Sequence, residues 1–360
     1  MKKILIFLQI LIIFGPCGVK AYEVNTEWIK NWGGNNTDGI KATMVLDDNS
    51  VVAVGLTNSN VDGINVNGQD ALIIKYDKEG NVIWQKNCGG IKDDVFSSVT
   101  LISDGSIIAV GKEENSSSVL PMIVKYDQDG NVIWQKSWGG NTYSQFDSVV
   151  ASSDGGFIAA GASYSSNLGI DNAGQGDAVI VKFDKEGNVE WNKSIGGSGN
   201  DGYGHIVSTL DGGYVATGYL LSTDIAGLAH KGNQDILIVK YMFEYDIDNK
   251  ITQNGTSTVE QQGSKGIINA TPNQGYKIDK ILVYDTKGNE VAVTKEENGT
   301  YSFELYDDVT VEVTYLKNAE NIEIENPQTD DNIMPKVICA LLLMLSSCVF
   351  YKFSGKKYSN

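Results

Sequence analysis

The heptapeptide GNVIWQK occurs twice, letter for letter, at Gly80–Lys86 and Gly130–Lys136. A relaxed copy, GNVEWNK, follows at Gly187–Lys193, and a further Trp-x-Lys stands at Trp28–Lys30. Such self-similarity constrains a fold strongly, because each unit must be one supersecondary element that buries its faces against its neighbours. Two more series march with Trp28, Trp84, Trp134 and Trp191: the glycines Gly55, Gly111, Gly161 and Gly218, and the lysines Lys75, Lys125, Lys182 and Lys240. Trp to the next Gly is 27 residues in all four units, and Lys to the next Trp is 9 in the three that can be counted. Only Gly to Lys varies, at 20, 14, 21 and 22. Insertion and deletion are therefore confined to one connection per unit.

Each unit reads as four strands. The first leads into a turn such as Asp104-Gly105 or Asp211-Gly212, and Asp-Gly between apolar runs signals a hairpin. The second is VVAVG, SIIAVG, FIAAG or YVATG; the third is ALIIKY, PMIVKY, AVIVKF or DILIVKY. The continuous apolar character of the third predicts that both its faces are covered. An Asp-x-x-Gly-Asn turn then leads into the tryptophan strand. No helical periodicity interrupts residues 22–241. The expectation is an all-β chain with a four-bladed β-propeller over 22–241. The fourth unit stops at Lys240-Tyr241 without its tryptophan strand, while the chain begins with a lone one at Glu27–Trp32. Pairing the two would remove an exposed edge, which sheets avoid, and close the ring; an open array dimerising through its ends is the alternative.

The Gly-x-x-x-Trp strand and the Trp-x-Lys-x-x-Gly-Gly closure resemble the tryptophan-containing β-propeller repeats of bacterial surface proteins, and more loosely the quinoprotein-type propeller. Residues 242–316 read as a small independent β module. There TPNQGYKIDKILVYD (Thr271–Asp285) and NGTYSFELYDDVTVEVTY (Asn298–Tyr315) resemble internalin-type B repeats, which implies a spacer.

The two ends predict export and anchoring. Residues 1–21 have the basic start, apolar core and small-x-small cleavage site of a signal peptide. Pro16 before Cys17 speaks against a lipidated cysteine. Residues 317–335 form an acidic linker, 336–353 a membrane-length apolar run, and 354–360 a basic tail expected to stay in the cytoplasm. Within the linker Asn326, Pro327, Gln328, Thr329 and Asp330 resemble a class B sortase sorting signal, with Asp330 where Gly or Asn is usual. The resemblance implies cleavage after Thr329 by a sortase and transfer to peptidoglycan in a Gram-positive-type cell; the apolar run alone implies a membrane anchor. Once Cys17, Cys339 and Cys348 are set aside, Cys88 stands alone in the exported part, which rules out an intrachain disulfide there.

A net charge of −17 argues against nucleic acid as a partner, since binding it needs a basic surface. Four residues beyond each Gly-Gly pair stand Asp38, Asp94, Ser144 and Asp201. A ring of carboxylates could hold a hard cation, but an aspartate there equally caps a turn by accepting backbone N–H groups, and no metal site is assigned. Asp70, Asp177 and Asp235 precede their units' lysines by five, with Leu120 in the second unit. They are candidates to line a sugar site or to pair with a lysine or backbone of the next blade. His230 lies in a variable connection and has no cysteine partner for zinc. These residues and the connections Thr57–Gln69, Glu113–Ser118, Ser163–Gly176 and Leu220–Asn233 mark one face as the candidate binding surface, since function is carried by variable loops on rigid scaffolds. No nucleophile elbow or phosphate loop is present, and no cofactor or catalytic residue is assigned. The reading is a surface-anchored, non-enzymatic protein whose propeller recognises a glycan or protein. The alternatives are a structural component without a ligand and, behind it, a wall- or glycan-acting hydrolase.

Overall fold

Four antiparallel meanders succeed one another along the chain. A computed structural model describes residues 25–318, apart from 141, 166–171, 173 and 251–252. The signal peptide, the sorting motif Asn326–Asp330, the apolar run and the basic tail lie outside the described residues. The first sheet holds β1 (Asp38–Val45), β2 (Val51–Thr57), β3 (Asp70–Tyr76) and β4 (Val82–Cys88) in that order. The second repeats it with β5 (Val95–Leu101), β6 (Ile107–Glu114), β7 (Val119–Tyr126) and β8 (Val132–Ser137). The third does so with β9 (Ser144–Ala151), β10 (Phe157–Ser163), β11 (Asp177–Phe183) and β12 (Val189–Ile195). The fourth has three strands, β13 (Asp201–Ser208), β14 (Tyr214–Leu220) and β15 (Asp235–Tyr241).

The invariant glycine of the second strand has a local cause. A Cβ on Gly55, Gly111, Gly161 or Gly218 would stand 2.0, 1.9, 2.0 or 1.8 Å from the carbonyl oxygen of Gly39, Val95, Gln145 or Gly202. Those carbonyls sit where the register of β1, β5, β9 and β13 shifts. Each first strand is thus bulged at the same place, and the bulge brings its backbone against a residue that must lack a side chain.

The sheets stack face to face, and the third strands supply both faces as their composition requires. In β7, Met122, Val124 and Tyr126 enter the core shared with the first sheet, while Ile123 enters the core shared with the third. In β11, Val179, Val181 and Phe183 face the second sheet and Ala178 and Ile180 the fourth. This succession of blade-like meanders is propeller-like.

What joins consecutive sheets is the repeated heptapeptide itself. Each tryptophan lies over the turn glycine of the following unit: Trp28 over Gly80, Trp84 over Gly130, Trp134 over Gly187. Those glycines have φ of 77°, 78° and 74°, and a Cβ on them would approach the indole to 2.9, 2.7 and 2.7 Å. Trp28 and Trp84 donate Nε1–H to the carbonyls of Lys78 and Gln128 in the turns they cover. Lys30 and Lys136, two residues on, donate to the turn asparagines Asn81 and Asn188 at 3.1 Å. Trp-x-Lys of one unit and Gly-Asn of the next are two halves of one latch.

The ends of the stack differ from the expected closure. Residues 25–34 hold no strand, and β15 pairs only with β14. Trp28, Lys30 and Trp32 instead bind the first sheet, Trp32 through Gln85 at 2.6 Å. On β15 the side chains that face the next blade in other units stand open: Ile236 is 79% and Ile238 67% exposed. The Lys240 side chain is 48% exposed, against 7% and 5% for its equivalents Lys125 and Lys182. The N-terminal tryptophan is therefore seated where a preceding blade would place it, without its pairing to β15.

Beyond Tyr241 the chain forms two small sheets. One orders β16 (Ile247–Lys250), β22 (Val309–Lys317) and β19 (Tyr276–Asp285), with β16 and β22 parallel. The other orders β17 (Gly255–Gln262), β18 (Lys265–Pro272), β21 (Tyr301–Glu304) and β20 (Thr294–Lys295). They enclose a core around Ile268, Val283, Phe303, Val311 and Val313. The module is less independent than its sequence suggests, because Phe243 packs on Trp191 at 5.4 Å and on Tyr214 at 5.5 Å. It occupies the place of the missing fourth Asp-x-x-Gly-Asn turn. Among the described residues no helix is long and apolar enough to cross a membrane.

Candidate functional site

In an antiparallel meander the start of strand one, the end of two, the start of three and the end of four share one edge. Asp38, Asp94 and Asp201 open β1, β5 and β13, and Asp70, Asp177 and Asp235 open β3, β11 and β15. All six, with the variable connections, therefore lie on one edge of the stack, the one the sequence selects.

The first series is built into turns. Asp38 accepts from Gly34 N at 2.9 Å, Ser59 Oγ at 2.9 Å and Thr57 Oγ1 at 2.6 Å. Burial alone would raise its pKa, but these donors hold its carboxyl below the usual range. Asp94 accepts from Gly90 N at 2.7 Å and Glu114 N at 2.9 Å. Asp201 accepts from Gly197 N, Leu221 N, Ser222 N and Ser222 Oγ. In each case the carboxylate ties the Gly-Gly loop to the end of the second strand. Ser144 reaches the end of the second strand without charge, its hydroxyl 3.0 Å from that of Ser163.

The second series departs from the expected lysine pairing. Asp70 accepts from Asn87 Nδ2 at 2.6 Å, and Asp235 from the backbone N–H of Lys231 at 2.6 Å. Three of the four third-strand lysines bind the aspartates of their own Asp-Gly turns instead, Lys125 to Asp104 and Lys182 to Asp154, both at 2.7 Å, and Lys240 to Asp211, while Lys75 donates to Gln128 Oε1 at 2.9 Å. The reason is geometric, since each lysine lies at the end of its strand opposite the aspartate five residues before it. His230 lies in the β14–β15 connection with Nε2 buried and no hydrogen-bond partner.

The structure adds residues that spacing did not select. Asn35, Asn36, Thr37, Asn58, Gly68, Gln69 and Asp93 line a hollow of about 640 Å³ on the same edge, between the first and second sheets. Asn36 Nδ2 donates to the Asn58 carbonyl at 2.8 Å, and Asn58 Oδ1 is buried with no partner. Asn58 and Gln69 escape a repeat comparison because they occupy the variable connection, and Asn35 and Asn36 because the aligned positions of the second unit are Ile91 and Lys92. The two aspartate series also meet: Asp70 faces Asp94, and Asp177 lies beside the Gly196-Gly197 loop that Asp201 binds. A signal for this was present, since both pairs are 24 residues apart, as are Leu120 and Ser144. Among the described residues no group of three or more His, Cys, Asp or Glu has metal-holding geometry.

No protein-family model matches the chain, and no curated protein matches it in sequence. Among solved structures it is similar to a periplasmic gluconolactonase of Pseudomonas aeruginosa, at 11% identity and a TM-score of 0.31, over 77% of this chain and 88% of that one. It is also similar to the WD40 domain of Neurospora crassa Pan2, at 12% identity and a TM-score of 0.32, over 75% of this chain and 90% of that one. A family 43 β-1,3-galactosidase aligns at 10% identity and a TM-score of 0.30, over 76% of this chain and 56% of that one. Likeness this remote carries no argument about activity.

Proposed function

We propose that the chain is a surface-displayed, non-enzymatic binding protein whose stacked sheets present the Asn35–Asp93 edge to a glycan or protein ligand. The observation that carries this reading is the hollow between the first two sheets. Its wall is rich in side-chain amides, each both donor and acceptor, held at the edge of well-packed blades. A hydroxyl-rich sugar or a peptide backbone is what such a surface can pair with. Closure of the ring by Glu27–Trp32 against the free edge of β15, a pairing absent from the described structure, is the second part of the proposal; it is supported by Trp28 covering Gly80 as the tryptophan of a preceding blade does. The signal peptide, sorting motif and apolar run support display at the wall or membrane, with sortase and peptidoglycan as partners in anchoring.

A glycan-array and host-matrix screen of residues 22–316 tests the binding reading. A specific ligand should emerge whose affinity drops about five-fold in Gln69→Ala or Asn58→Ala, the worth of one hydrogen bond. A screen that yields no ligand, or a ligand indifferent to both changes, rejects it in favour of a structural component. Thr329→Ala in the full chain should move it from the wall to the membrane fraction, and an unchanged distribution would leave membrane anchoring alone.

A further inference from the structure

The carboxylates of Asp70 and Asp94 come from consecutive sheets and meet at Gly89. A Cβ on Gly89 would stand 2.5 Å from Asp94 Oδ2 and 2.8 Å from Asp70 Oδ1, so the two oxygens face each other across a gap of a few ångströms. Both residues are buried, Asp70 at 3% and Asp94 at 2% exposure. Asp94 Oδ2 accepts one backbone N–H, from Gly90, and Oδ1 accepts another, from Glu114. Asp70 Oδ2 accepts from Asn87. Asp70 Oδ1, the oxygen aimed at Asp94, has no partner at all.

Two buried carboxylates so placed repel each other, and neither makes an ion pair with a lysine among the described residues. Burial raises the pKa of both, and Asp70 and Glu113 add to the difficulty of ionising Asp94. Something positive must lie between them: a shared proton or a cation. The two backbone donors on Asp94 favour its ionised form. Gln69 and Asp93, the residues just before Asp70 and Asp94, line the hollow, which supplies an entry path and room for water ligands. The pair also exists as a unit. Where Leu120 replaces the first member, Ser144 replaces the second, and its hydroxyl turns to Ser163 within its own sheet.

We propose that the Asp70–Asp94 pair, at the junction of the first and second sheets, binds a hard divalent cation of the calcium class. Its ligands are Asp70 Oδ1, Asp94 Oδ2 and water from the hollow, and it pins consecutive sheets together. The sequence reading assigned no metal because it counted the two aspartate series separately; each alone is a turn residue, and only their meeting makes a site. The inference stands apart from the glycan or protein ligand and holds whether or not one is found.

The test is calcium chloride titrated into the purified full chain after chelation, read by calorimetry and by thermal unfolding. Wild type should bind saturably at millimolar calcium or below and melt at a higher temperature with the ion than in EDTA. Asp70→Asn should lose that binding and the calcium-dependent rise, yet melt in EDTA no lower than wild type, because it removes the repulsion. Asp94→Asn, in which the backbone donors lose a charged acceptor, is the second variant and should also lose the ion. Asp129→Asn, in an exposed turn, should behave as wild type. Absence of saturable calcium binding by wild type overturns the proposal without recourse to any variant. So does calcium binding unchanged in Asp70→Asn. A melting temperature that rises on acidification in EDTA but ignores calcium would mean that the pair shares a proton.

Discussion

At the residue scale, the glycine under each tryptophan is fixed twice over. Gly130 has φ of 78° and an indole where its Cβ would be. Gly105 has φ of 82° but nothing within 4 Å. Gly105→Ala should therefore cost only the left-handed backbone, about 1–2 kcal/mol. Gly130→Ala adds overpacking of about 1–3 kcal/mol, and the difference between their denaturant midpoints measures the latch directly. A second residue-scale expectation concerns acid. Burial would raise Asp104 and Asp154, but the ammonium groups of Lys125 and Lys182 with neighbouring hydroxyl and N–H donors hold both below the ordinary carboxylate value. Their stabilising contribution is complete above the unfolded pKa of about 3.9 and is lost as pH falls through their lower folded values. Asp70 and Asp94 are raised and act in the opposite sense, favouring the fold below about 3.9 and losing that contribution as pH rises through their folded values. Stability measured from pH 2 to 5 should be less steep in Asp154→Asn than in wild type. An identical slope would show that the Lys182–Asp154 pair contributes nothing.

At the scale of the element, strands were the legible part of the chain. The apolar runs, Asp-Gly turns and constant spacings place the second, third and tryptophan strands of the units close to their positions, because each depends on contacts within one unit. Glu27–Trp32, read as a strand, is not one. The glycine ending the second strand was visible as a marker, but its cause, a bulge across the ladder, needed a partner strand. What lies between units was hidden. Trp84 and Gly130 are 46 residues apart, and nothing in their spacing says that one lies on the other. The amide-lined hollow was hidden too, for Asn58 and Gln69 come from the variable connection and Asn35 and Asn36 are not repeated in the second unit. The free edge of β15 yields the prediction at this scale. If Glu27–Trp32 completes the fourth sheet, the amides of Ile236–Lys240 should be protected from hydrogen exchange, and deleting Glu27–Trp32 should abolish that protection and destabilise the whole stack. Rapid exchange at β15 in the intact chain would show an open array.

At the scale of the molecule, the C-terminal module stands between the stacked sheets and everything beyond residue 318. Phe243 joins it to Trp191 and Tyr214 on one side, and β22 leaves it on the other. Its first strand, β16, and its last, β22, run parallel, from Ile247↔Val309 to Lys250↔Glu312. Tension applied between the stack and a C-terminal anchorage would draw these two strands in opposite directions along their length. All of their hydrogen bonds would then be sheared at once, whereas an antiparallel terminal pair would unzip one bond at a time. Stretched in an optical trap from residue 242 to residue 318, the module should yield in a single high-force step. Glu312→Pro, which removes a ladder donor and stiffens the strand, should lower that force more than it lowers the equilibrium stability. Equal losses in both would deny the pairing any mechanical part. A cell held against flowing liquid by this chain would then be held by four residues of parallel ladder, and the module resembling a spacer would serve as the tether's resistance to rupture.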